Sequence, residues 1–167
     1  MYHVLPHDKF IREAMSTSFV TTGIMKRFEK RFPDYVYRRV ALDPMNPKNK
    51  TDAFEEGFVN KSAHCPDCRR EWKGLVDRNG KKYFMHLKAV VMEEQCVTCH
   101  GDPAYAPRSL IQRYGKKHGH FWKVGDVIGA ESVSIPVDET FYQIRQVAFA
   151  IFLAGLAGMA VLFLSLN

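Results

Sequence analysis

The stretch Trp72–His100, WKGLVDRNGKKYFMHLKAVVMEEQCVTCH, carries the reading of this chain. Its first half places two runs of β-forming residues, Trp72–Val76 and Lys82–Val91, on either side of Asp77-Arg78-Asn79-Gly80. Asn-Gly suits the positive φ angles of a tight turn, so an antiparallel hairpin is expected. The second half ends in Cys96-Val97-Thr98-Cys99-His100, and Cys-x-x-Cys-His is the attachment signature of c-type haem. Thiols at i and i+3 share one helical turn and can bond the two vinyl groups on one porphyrin edge. The next residue, His100, can then give its imidazole to the iron as proximal ligand. Glu93 and Glu94 favour a helix start at this point, and Gly101-Asp102-Pro103 stops the helix just after the histidine. The plainer uses of Cys96 and Cys99 are a structural zinc site or a disulfide.

Outward from this stretch, Asp8–Phe32 shows apolar residues near the 3.6 period and is expected to form one long amphipathic helix. Pro33-Asp34 ends it, and Tyr35–Ala41 is rich in β-formers. Asp43–Lys50, with two prolines, predicts a loop, and Thr51-Asp52 starts a helix to about Lys61. After the Cys-x-x-Cys-His segment comes a long loop with glycines and histidines. Val127–Pro136 then predicts a last strand, and Asp138–Gln146 leads helically onward. This order is an α+β domain with an antiparallel sheet and a helical layer.

The chain has 167 residues, 46% of them hydrophobic, enough for one modest core. Val147–Leu166 carries no charge over a length that crosses a hydrocarbon core of about 30 Å. The division expected is therefore an extracytoplasmic domain over residues 1–140 and a C-terminal transmembrane helix over 141–167. Ala150, Ala154 and Gly158 form a small-residue stripe along that helix, suited to close approach by another helix. The net charge is +6, and Arg108–Lys123 contributes five basic residues with no acid. Lipid headgroups, an acidic partner or haem propionates suit this segment, and nucleic acid does not fit a membrane-anchored haem protein. Met1–Val4 opens without an apolar leader, although haem attachment outside the cytoplasm requires export. An upstream export signal is therefore expected. Cys65-Pro66-Asp67-Cys68 lacks a following histidine. It leaves three readings open: a Cys65–Cys68 disulfide, a metal site with His64, or a haem whose histidine comes from elsewhere.

Three blocks, Asp43–Glu55, Glu94–Pro103 and Gly125–Pro136, together resemble the c-type-haem family with a PAS-like fold. Its members occur as periplasmic parts of bacterial sensor proteins and as a small photosystem-associated cytochrome in cyanobacteria. The resemblance implies one covalent haem between the sheet and the N-terminal helix, with His100 proximal. In some relatives the distal ligand is a cysteine on that helix, whereas this chain has none before Cys65. Met25, then Met15, are the candidates near that place. His86, His64 or a vacant sixth position are the alternatives, and His118 and His120 are expected to be exposed. A His/Met pair raises the potential relative to thiolate.

The function expected is a monohaem c-type cytochrome anchored in the inner membrane, its haem domain on the periplasmic side. It would pass single electrons as a subunit or partner of a larger membrane complex. With Asn167 so soon after the span, no transmitter domain is expected to follow. The alternative is a haem-based redox or gas sensor input domain. Peroxidase-like chemistry would need an open distal site with His86 as acid–base, and the chain is not expected to be an enzyme.

Overall fold

The computed structural model describes residues 9–65, 70–78 and 80–166. Among these residues there are six α-helices and a four-stranded antiparallel sheet. The hairpin is β2 (Glu71–Arg78) and β3 (Lys81–Val91), paired from Arg78↔Lys81 to Glu71↔Lys88. β4 (Val127–Pro136) pairs with β3, and β1 (Val36–Ala41) pairs with β4, giving the order β1-β4-β3-β2. Gly129 allows β1 and β4 to close up, because a Cβ there would lie 1.9 Å from the Val40 carbonyl oxygen.

One face of the sheet is covered by α3 (Ala53–His64), which starts where the sequence predicts and runs one turn further. Asp52 caps it in a capping box: its carboxylate accepts the Glu55 N–H at 2.8 Å, and Glu55 accepts the Asp52 N–H at 3.0 Å. Val59 enters a core with Val40, Ala89, Val127 and Ala130. Phe54 packs edge-on to Trp72 at 4.9 Å. The Glu55 carboxylate is fully buried and is paired with Arg38 at 2.9 Å. A buried charge of this kind needs its partner, so the pair ties α3 to β1 specifically.

The single helix expected over Asp8–Phe32 is in fact two, α1 (Arg12–Met15) and α2 (Thr17–Glu29), and Asp8 lies outside the described residues. The break is at Ser16, whose backbone is extended and whose hydroxyl accepts the Phe19 N–H at 3.2 Å. A serine N-cap restarts the helix here even though the apolar period continues past it. α2 runs along β1, the edge strand. Glu29 accepts the Tyr37 N–H at 3.2 Å, and Thr17 accepts from Arg39 at 2.9 Å. Phe10, just before α1, meets α5 (Arg108–Tyr114): its N–H donates to Ser109 at 2.7 Å and its ring meets Tyr114 edge-on. α5 lies inside the segment expected to be loop; Pro107 precedes it and Gly115 ends it.

α6 (Asp138–Leu166) leaves the sheet at the start of β3. The Val137 N–H donates to the Lys82 carbonyl at 3.0 Å, and the Lys82 N–H to Asp138 at 2.8 Å. Within it Phe141–Leu166 is long and apolar enough to cross a membrane and is unburied by the rest of the chain.

Candidate haem-attachment site

α4 (Glu94–His100) follows the far end of β3, and the Gly101 N–H closes its last turn on the Val97 carbonyl at 2.7 Å. At 100° per residue Cys96, Cys99 and His100 fall on one face. Both cysteines are free and partly buried. Burial pushes the Cys99 thiol up from its ordinary pKa, with the neighbouring Cys96 adding to the effect.

His100 Nδ1 lies 2.8 Å from the Gly119 carbonyl oxygen. A carbonyl can only accept, so Nδ1 carries the proton and Nε2 keeps its lone pair. Burial is the largest influence on the His100 ring and lowers its pKa. The Gly119 bond opposes this, while the charges of His120 and Arg39 add to it. The imidazole is thus held neutral, the form in which it can ligate a metal. The loop that supplies Gly119 also covers the end of α4: Phe121 N–H donates to the Gly101 carbonyl at 2.9 Å and Trp122 N–H to that of His100 at 3.1 Å. Arg39, whose charge adds to the lowering of the His100 pKa, donates to Thr17 at the start of α2.

Met15 lies at the α1–α2 break, where its sulfur accepts the Ile11 N–H at 3.3 Å. Met25 is partly buried two turns further along α2. His86 stands on β3, 2.5 Å from Glu71, on the sheet face that also carries Arg39. His64 is exposed at the end of α3 and bonds the Asn60 carbonyl. Cys65, a half-cystine, follows it, and Cys68 lies outside the described residues, as does any pairing that involves it. His118 is exposed as expected, but His120 is buried, at 6% exposure. The correction has a local cause: the turn after Gly115 folds the ring back until Nε2 reaches the Gly115 carbonyl at 3.1 Å. Asp43 and Gly119 carry no motif of their own: Asp43 opens the Asp43–Lys50 loop, and Gly119 lies within the basic segment Arg108–Lys123.

An open groove of about 530 Å³ is lined by Glu94, Val97, Thr98, Asp102, Tyr105 and Val124. Its three α4 residues, Glu94, Val97 and Thr98, lie away from the Cys96–Cys99–His100 face at 100° per residue, and neither cysteine nor His100 lines it.

A family described as Tll0287-like matches residues 3–136. The chain belongs to the Tll0287-like family. A crystal structure described as that of the cyanobacterial heme-protein Tll0287 superposes with a TM-score of 0.59. It covers 77% of this chain and 78% of that one at 18% identity. No curated protein sequence matches significantly. At that identity the Tll0287 structure speaks for the fold, which is the α+β, PAS-like arrangement the sequence resemblance implied.

Proposed function

We propose that this chain is a membrane-anchored c-type cytochrome with one covalent haem, passing single electrons as a subunit or partner of a larger membrane complex. The observation that carries this reading is the donor set on α4. Two free thiols share a turn, and His100 has its Nδ1 committed to Gly119, leaving Nε2 for iron. Among the described residues no three His, Cys, Asp or Glu side chains converge to hold a metal ion. A porphyrin would bring the four in-plane nitrogens that such a site needs. The description of the Tll0287 structure as a heme-protein supports the same reading.

When bound, haem supplies a one-electron iron couple. Cys96 and Cys99 would each add across a vinyl double bond, sulfur joining one carbon and the thiol hydrogen the other, with no oxidant required. His100 would hold the iron from one side, and Met25, or failing that Met15, from the other. The site stands well away from the proposed span, because α6 departs beside Lys82 whereas α4 follows Val91. At about 3.3 Å per residue, β3 separates the two by roughly 30 Å. In this reading the electron partner meets the domain on the periplasmic side of the inner membrane, with Arg108–Lys123 as its docking segment. No enzymatic step is assigned.

A sensor input domain is the second reading. One observation favours it: a single strand, β3, links the segment leading into α4 with Lys82, whose hydrogen bonds seat α6, so a shift at the haem would reach the membrane helix.

The test is an absorption spectrum of the purified chain, oxidised and reduced, with and without carbon monoxide. A six-coordinate His/Met spectrum that carbon monoxide leaves unchanged is the expected result. Ready carbon monoxide binding moves the reading to sensing, and absence of a haem spectrum in alkaline pyridine removes both.

A further inference from the structure

Gly119 is held at both ends. Its carbonyl accepts from His100 Nδ1, and its N–H donates to Asp43 Oδ2 at 2.9 Å across 76 residues of sequence. The other oxygen of Asp43 is 2.5 Å from His118 Nδ1. Gly119 has φ +76°, and a Cβ there would lie 2.5 Å from Met45 Cγ and 3.1 Å from the Met45 nitrogen. The segment Asp43–Met45 therefore both grips this residue and walls it in. Gly115 and Gly125, at the two ends of the loop, also have positive φ. A loop so rich in glycine has little stiffness of its own, because glycine visits both signs of φ freely.

We propose that Asp43 is the positioning residue for His100, acting through Gly119, with His118 as a side support. This rests on His100 being the proximal ligand. The two bonds to Gly119 lie on successive peptide groups either side of its Cα, so conjugation through one amide does not couple them. The coupling is positional: the carboxylate holds the N–H, which holds the carbonyl, which fixes the proton on Nδ1 and turns Nε2 outward. Groups that orient a ligating histidine in this way typically change metal affinity about 10- to 100-fold when removed.

The experiment uses the full chain in detergent, with Asp43→Ala, Asp43→Asn and His118→Ala. In haem-free protein, nitrogen NMR of the His100 ring is expected to show the Nδ1–H tautomer in the parent and in His118→Ala. Asp43→Ala is expected to give a mixture of tautomers, and Asp43→Asn an intermediate, because a neutral acceptor replaces a charge-assisted bond about twice as strong. In haem-loaded protein, the midpoint potential of Asp43→Ala is expected to rise, since a less basic imidazole stabilises ferric iron less. Each tenfold change in the relative hold on the two oxidation states reads as about 59 mV for one electron. The proposal is overturned if a folded Asp43 variant, alanine or asparagine, keeps the parent tautomer and potential. A parent chain that holds no haem would remove the cytochrome reading, while the haem-free NMR would still decide the role of Asp43.

Discussion

The two flanks of the candidate site differ in how they are held. On the α4 flank the backbone and side chain of His100 are both fixed, by Trp122 N–H and the Gly119 carbonyl, and Gly119 is fixed in turn by Asp43. On the flank of α1 and α2, no residue of either helix is buried, and Phe19, Val20, Ile24 and Phe28 keep more than a third of their surface in solvent. A few polar bonds hold α2 to the edge strand. A histidine ring can thus be oriented by a backbone carbonyl that a distant carboxylate holds in place, whereas the apolar helix at the sheet edge leaves its contacts incomplete.

The largest expected effect is on the α4 flank, where the haem would be attached. Cys96→Ser with Cys99→Ser is expected to abolish haem that stays with the chain after denaturation, read by haem staining of a denaturing gel; retention would move attachment elsewhere. Next, Gly119→Ala asks a residue with a Cβ to adopt φ +76° against Met45. It is expected to destabilise the domain by about 1–3 kcal/mol in thermal or denaturant unfolding. Ser16→Ala deletes the cap of α2 and is expected to cost about 1 kcal/mol. If Ser16→Ala cost as much as Gly119→Ala, the two flanks would be equally well anchored and the contrast would fail. The smallest effect is with pH. Burial alone would raise the Asp43 carboxyl, but its bonds to Gly119 and His118 outweigh this and hold it below the ordinary 3.8. Its folded pKa is below its unfolded one, so its stabilisation is complete above about pH 4 and is lost as pH falls through the lower value. The protection of the Gly119 amide, its exchange taken relative to the intrinsic rate at each pH, should fall in that acid range and stay level above it.

Much of this was legible in the chain because the relevant signals are local. The hairpin, the helix after Thr51 and the turn bearing Cys96, Cys99 and His100 each depend on residues within a few positions of one another. The break at Ser16 was hidden because an apolar period continued through it, and α5 because two short turns sat inside a basic, glycine-bounded segment. The burial of His120 was missed because its partner is a backbone carbonyl, which composition does not show.

By itself the sequence determined that two thiols and an imidazole share a single turn, since helical spacing alone puts them on one face. It also determined a terminal helix able to cross a membrane, since length and lack of charge are sums over neighbours. Tertiary structure alone decided which nitrogen of His100 keeps its proton. That depends on a carbonyl 19 residues away, held by a carboxylate 76 residues further back, and only folding brings groups so far apart in sequence within hydrogen-bond distance.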